Sequence, residues 1–180
     1  MARATLSSNM VRLDNLQVIF SQRPKVSSSA HFGCRIVEAK DGTLFVTLGE
    51  RYSRKEDAQE LDNHLGKVVR IQKDGAVPAD NPFVDRAGAL PEIWSYGHRN
   101  SQGATLGPDG RFWMNDHGPQ GGDEINVPLA GRNYGWPVIT YGEKLWRRED
   151  WRRPDRQGRH GAAAALLGAL DRAVRHGLPD

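Results

Sequence analysis

Short apolar runs separated by turn-forming residues make up most of residues 12–142. RLDNLQVIF, residues 12–20, alternates in its second half and predicts a strand, and the polar SQRPKVSSSA that follows predicts a loop. RIVEAKDGTLFVTLGE, residues 35–50, is two apolar runs around Lys40-Asp41-Gly42, and Asp-Gly between such runs predicts a hairpin. The charged RYSRKEDAQELDNHL, residues 51–65, predicts a helical turn or a long loop. GKVVRIQKDGAVPADNPF, residues 66–83, repeats the hairpin grammar at Asp74-Gly75, and Asp109-Gly110 repeats it again between ATLG and RFWMND. GRNYGWPVITYG, residues 131–142, predicts the start of another strand after a glycine-rich corner. The three Asp-Gly pairs are 33 and 35 residues apart. That is a loose internal period, near the roughly 40 residues of a propeller blade, with a meander or sandwich of unrelated hairpins as the alternative.

Composition agrees with an all-β chain. Twenty glycines and ten prolines in 180 residues are many turn-formers, and a mean hydropathy of −0.64 is polar for a globular unit. The length suits one domain or part of one. Cys34 is the single cysteine, so no internal disulfide forms. MARATLSSNM is neither an apolar leader nor a membrane span, so the chain as written is expected to stay soluble and not to be exported.

Charge is uneven. Residues 144–180 carry nine Lys/Arg against five Asp/Glu, leaving sixteen against seventeen in residues 1–143. The basicity therefore belongs to a tail, KLWRREDWRRPDRQGRHGAAAALLGALDRAVRHGLPD, that has no strand alternation and no Asp-Gly turn. Its alanine run over 161–176 suits a helix by propensity, or disorder. A basic arm of this kind can bind nucleic acid or a membrane surface, but a segment without a selected role is the favoured reading, and no nucleic-acid partner or membrane span is expected.

Three stretches carry chemistry. In Ser29-Ala30-His31-Phe32-Gly33 a histidine ends a small polar loop just before a strand, where it could act as a general base or be an ordinary surface residue. In Tyr96-Gly97-His98-Arg99-Asn100-Ser101-Gln102-Gly103, glycines bracket an Arg-Asn pair; its donors suit a flat, anionic, carbonyl-bearing ligand, or else fix a turn. NDHGPQGGDEIN, residues 115–126, offers backbone carbonyls beside Asp123 and Glu124. Oxygen donors are what Ca²⁺ takes, although the spacing is not that of an EF-hand and an acidic surface turn would look the same.

These stretches occur in a recognisable order with others: His31-Phe32-Gly33, Thr47-Leu48-Gly49-Glu50, Leu65-Gly66-Lys67-Val68-Val69-Arg70, Asp80-Asn81-Pro82-Phe83, Glu92 to Asn100, His117-Gly118-Pro119, and Gly131 to Pro137. From about residue 12 to 143 the chain resembles the soluble quinoprotein aldose sugar dehydrogenases, the glucose/sorbosone dehydrogenase family that uses pyrroloquinoline quinone (PQQ). The resemblance implies a six-bladed β-propeller, of which residues 1–143 would make about three blades, with PQQ and calcium at the mouth of the central channel. It implies oxidation of the C1 hydroxyl of an aldose to the lactone, with an electron acceptor that the sequence does not name. His31 matches the base and Glu50 the carboxylate that supports it. Arg99 and Asn100 match the pair that hydrogen-bonds the quinone. Gly118 and Pro119 match carbonyl ligands of the calcium that polarises PQQ, while Glu124 and the backbone of Tyr134 match a second, structural calcium site.

There are departures. The family usually has Pro where Ser101 stands, Asp or Asn where Ala30 stands, and Gly where Cys34 stands, the last predicting strain in the corner beside the base. A family member is roughly twice this length. A PQQ-contacting glutamine on the N-terminal side and cationic PQQ contacts on the C-terminal side have no counterpart here, so the chain is expected to be a truncated, inactive form. The alternative is a non-catalytic propeller fragment or partner-binding module. Read one nucleotide out of register with permissible codons, HGAAAALLGALDRAVRHGLP yields MEQPLLYWEPSIAPSGMAF, which resembles the family at this point; a frameshift near residue 144 is the corresponding expectation. Periplasmic location is expected for a full-length relative.

Overall fold

KVVRI and LFVTL are the most completely apolar-flanked runs of the chain, and each forms a strand buried on both faces. In the computed structural model, which describes residues 1–142, nine strands run in chain order. They are β1 (Ala2–Leu6), β2 (Leu13–Val18), β3 (Gly33–Glu38), β4 (Leu44–Leu48), β5 (Lys67–Ile71), β6 (Ile93–Tyr96), β7 (Ala104–Leu106), β8 (Phe112–Asp116) and β9 (Glu124–Asn126). They form three antiparallel sheets, β1-β2, β3-β4-β5-β6 and β7-β8-β9. The architecture is all-β, as expected, with one 3-10 turn at Lys55–Gln59 inside the charged stretch. The tail expected over 144–180 lies outside the described residues. Among the described residues no helix is long and apolar enough to cross a membrane.

The central sheet is packed from two sides. Val46, Leu48, Val69 and Ile71 cluster with Phe20 and with the partly buried Met1. Alternate residues Phe45 and Val68 face the opposite way and cluster with Phe112 and Met114 of β8. The period-2 alternation of strand side chains sends the two sets to opposite faces. The β1-β2 pair has no such cover: Leu6, Leu13, Leu16 and Val18 are all more than half exposed.

The three Asp-Gly turns are one structure used three times. In each, the residue two before the Asp accepts from the Gly N–H and donates to the carbonyl two residues after the Asp: Ala39 with Gly42 and Thr43, Gln72 with Gly75 and Ala76, Gly107 with Gly110 and Arg111. In each, the Asp Oδ1 accepts the N–H two residues on, at 2.9, 2.9 and 3.0 Å. The first and third join β3 to β4 and β7 to β8, as predicted.

The second does not make the expected hairpin. After Ala76 the chain loops through Pro78, Pro82 and Pro91, which have no N–H to offer a ladder, and β5 pairs instead with β6. Asn81 Nδ2 holds the loop by donating to Arg70 O at 2.9 Å and Pro91 O at 3.0 Å. The strand expected within 131–142 is also absent: only an isolated parallel bridge joins Tyr96 to Asn133, and the rest is turn. Gln59 explains this, because its side chain donates to Trp136 O at 2.5 Å and accepts from Asn133 Nδ2 at 2.7 Å, taking groups a strand would need.

Candidate active site

The loop between β2 and β3 delivers His31 onto Glu50, the second residue after β4. His31 Nδ1 lies 2.8 Å from Glu50 Oε1, with the ring 12% and the carboxylate 1% exposed. A carboxylate on Nδ1 keeps the proton on that nitrogen and leaves Nε2 as the acceptor. The ring is also flanked edge-on by Tyr52 at 5.2 Å between centroids.

The two backbones that carry the pair are tied together. Arg51 N donates to His31 O at 3.2 Å and Glu50 N to Arg99 O at 3.1 Å. They pass so close that a Cβ on Gly49 would sit 2.0 Å from His31 O. His31, Arg51 and Tyr52 all adopt left-handed backbone, with φ of 52, 65 and 62°. Non-glycine residues in that region are strained, and such residues cluster at functional sites. Position 34 needs no glycine: the left-handed residues of this corner are His31 and Gly33, and Cys34 is not among them. The expected strain from Cys34 is therefore absent, and it falls on the base itself.

Arg99 and Asn100 follow β6 and stand beside this pair. The two oxygens of Asp116, at the end of β8, accept from Arg99 N at 2.9 Å and Asn100 N at 2.6 Å. Asn100 Oδ1 accepts from Gly33 N at 3.3 Å, which links the pair to the base loop. The Arg99 guanidinium donates from Nη1 to His117 O at 2.9 Å and lies 5.2 Å over the Trp136 ring. Its Nε is buried with no hydrogen-bond partner among the described residues, and so is Oε2 of Glu50. Burial lowers the Arg99 pKa, with the charges of Glu50 and Asp116 opposing.

On the other side of Arg99 is a small cavity of about 20 Å³, lined by Arg99, Asp116, Gly118, Glu124, Tyr134 and Trp136 among others. It is the size of one water or ion. Asp116 and Glu124 are directly paired across β8 and β9. Like charges placed so are unfavourable. Burial, and to a lesser degree the Asp116 charge, pushes the Glu124 carboxyl up to about 7, against a hydrogen bond from Asn126. The Tyr134 hydroxyl is committed elsewhere, donating to Val127 O at 2.7 Å and accepting from Leu129 N at 3.0 Å. Only its backbone is left to serve a ligand.

Gly118 N donates to Asp123 Oδ1 at 2.8 Å, and a Cβ on Gly118 would meet Gly121 O at 2.1 Å, so this loop closes only around glycine. Pro119 does not line the cavity and packs against Gly142. Among the described residues no three His, Cys, Asp or Glu side chains converge on one point, so any cation here would rely on backbone oxygens.

The structure thus brings His31, Glu50, Arg99 and Asn100 into one region, and Gly118, Glu124 and Tyr134 into the cavity that Arg99 shares. Two residues escaped the sequence reading. Asp116 holds the Arg-Asn backbone. His98, fully buried, bonds Ser95 Oγ through Nε2 at 2.8 Å, places Nδ1 3.6 Å from Asp116 and stacks on Tyr134 at 4.7 Å. Asp116 lies inside NDHGPQGGDEIN, where the Asp123-Glu124 pair drew the attention.

The profile of the Glucose / Sorbosone dehydrogenase family matches residues 1–167. The chain belongs to that family. Among glucose/sorbosone dehydrogenase relatives, it is 48% identical to the aldose sugar dehydrogenase of Escherichia coli (strain K12) over 138 residues, which are 76% of this chain and 37% of that protein. It is 31% identical to quinoprotein glucose dehydrogenase B of Acinetobacter calcoaceticus, over 63% of this chain and 27% of that protein.

The crystal structure of the soluble E. coli aldose sugar dehydrogenase in its apo-form superposes with a TM-score of 0.78 at 41% identity, covering 90% of this chain and 46% of that one. The PQQ-bound aldose sugar dehydrogenase of Streptomyces coelicolor superposes at 0.67 and 28% identity, covering 85% and 43%. The fold is therefore that of the β-propeller sugar dehydrogenases, and the chain spans less than half the length of these relatives.

Proposed function

We propose that residues 1–142 carry the base and the quinone-binding pair of a PQQ- and calcium-dependent oxidation of an aldose at C1 to the lactone. The observation that carries this reading is the His31–Glu50 pair at 2.8 Å beside an Arg99 whose Nε is buried and unpartnered. PQQ, when bound, would supply the two-electron acceptor for hydride from the sugar C1. Glu50 holds the proton on His31 Nδ1, so that Nε2 takes the proton of the sugar hydroxyl. Arg99 and Asn100 would hold the quinone, their donors facing the oxygens on which negative charge develops. Asp116 fixes the backbone of both.

The residues fit the groups they are assigned. An arginine N–H and a carboxylate oxygen without partners, buried side by side, suit an acceptor-rich cofactor and a polar substrate. Glu124 opposite Asp116 in a cavity of one-ion size suits Ca²⁺, with backbone oxygens of Gly118, Pro119 and Tyr134 as the remaining donors. A cation there would relieve the carboxylate pair.

The test is the purified 180-residue chain with added PQQ and Ca²⁺, followed by PQQ absorbance and by dye-linked glucose oxidation. PQQ absorbance is expected to shift and Arg99→Ala to abolish the shift, while turnover stays near background because more than half of a relative's length makes no contribution. No Arg99-dependent shift would overturn the assignment of the pair; turnover at a full-length relative's rate would overturn the expectation of inactivity. The second reading, a fragment that docks on a partner, is favoured by the exposed Leu6, Leu13, Leu16 and Val18 of β1-β2.

A further inference from the structure

Beside the base is a hollow that the reaction above does not use. It has a volume of about 270 Å³ and is lined by Gln22, Pro24, Lys25, Val26, Ser27 and Arg51. Two of the six are cations and none is acidic. Arg51 N donates to His31 O at 3.2 Å, which fixes the hollow next to the base.

Arg51 is built in place. Its Nη2 donates to Gln22 Oε1 at 2.8 Å and its guanidinium lies 4.1 Å over the Phe32 ring. Two further donors of the same pair, Arg51 Nε and Gln22 Nε2, are buried with no hydrogen-bond partner among the described residues. Donors in this state require an acceptor. The partner is not a carboxylate of the protein. Burial lowers the Arg51 pKa, and the group that opposes it is the Cys34 thiol rather than any Asp or Glu.

The other inward guanidiniums differ. Arg70 is met by Asp41 at 2.7 Å and Asp80 at 3.0 Å, and Arg99 lies in the field of Glu50 and Asp116. Arg51 alone among these three lacks an anionic neighbour. A half-buried guanidinium fork, two spare N–H donors and a lysine at the rim match the planar or tetrahedral oxygens of a carboxylate or phosphate.

We propose that this hollow is an oxyanion subsite that takes a phosphate or carboxylate group of the ligand bound at His31. The oxyanion could be carried by an acidic sugar or by the cofactor's own carboxylates, and the experiment separates them. The link to a sugar rests on the role proposed for His31; the subsite itself does not.

The test follows the Arg51 Nε–H and His31 ring resonances of the ¹⁵N-labelled 180-residue chain during titration with inorganic phosphate, glucose 6-phosphate, glucose and PQQ, at constant ionic strength set with chloride. Phosphate is expected to move Arg51 Nε–H and glucose to leave it unmoved. Arg51→Gln should weaken phosphate roughly tenfold and Lys25→Gln, at the exposed rim and harmless to the fold, about threefold. Glucose 6-phosphate moving Arg51 and His31 together assigns the oxyanion to the sugar; PQQ alone doing so assigns it to the cofactor.

A phosphate response that is absent, or that persists unchanged in both variants, overturns the subsite. Arg51 moving while His31 stays unmoved by both organic ligands cuts the link to the base and overturns the proposal as stated. Failure of sugar oxidation leaves the phosphate titration readable, so the two ideas fail separately.

Discussion

Asp116→Ala is expected to free the backbone of Arg99 and Asn100 while leaving the sheets paired. Asp116 is 6% exposed, so water does not replace what is removed. The lost contacts are two carboxylate-accepted amide bonds of 2.9 and 2.6 Å. Bonds to a charged acceptor are worth about 1.5–3 kcal/mol each, giving roughly 3–6 kcal/mol of local stability. At about 1.4 kcal/mol per decade, amide protection at the two positions should fall by roughly two to four decades, up to the limit set by global unfolding. Asp116→Asn keeps one accepting oxygen and should retain protection at one of the two amides. Removing Asp116 also relieves Glu124 across the strand pair, so global stability should fall by less than the local figure. Hydrogen exchange of the intact chain reads this directly, with the β5 amides as internal reference. If Arg99 and Asn100 keep their protection in the alanine variant, or lose no more than β5 does, Asp116 is not what holds them.

Three further outcomes are expected. Glu124 has a folded-state pKa of about 7 against an ordinary 4.5, so between those values the folded chain binds a proton the unfolded chain has released, and stability falls as pH rises. The loss is at most about 3 kcal/mol; melting in chelator should show the slope, Glu124→Gln should flatten it, and calcium should raise the melting temperature more at pH 7.5 than at pH 5.5. Replacing Glu50 by Leu should release the His31 tautomer, seen in imidazole ¹⁵N shifts as growth of the form protonated at Nε2; unchanged shifts would show that Glu50 does not fix the ring. Gly49→Ala, whose methyl would lie 2.0 Å from His31 O, should cost about 1–3 kcal/mol in urea melts and shift the His31 resonances; a neutral substitution would refute the close approach.

The Asp-Gly turns were legible because everything that makes them is local: the Asp oxygen, the residue it caps and the glycine lie within three positions. The hairpin expected after Asp74-Gly75 failed for an equally local reason, three prolines, whose weight against a strand was not counted. The turn over 131–142 was not legible, because Gln59 takes its backbone groups from more than 70 residues away. β1 went unseen because its residues are all exposed and carry no alternation. In the site, family resemblance placed His31 with Glu50 and Arg99 with Asn100, and the distances agree with both pairings. Asp116 was missed because it acts on backbone N–H groups, which look alike in every sequence.

The central sheet draws one core cluster from Phe20 and Met1 and the other from Phe112 and Met114. A designer who wished to transplant β3–β6 into another ring would therefore have to carry more than four strands. The portable module is the sheet together with the facing side chains of both its neighbours, and a graft cut at the strand boundaries would arrive with two bare surfaces.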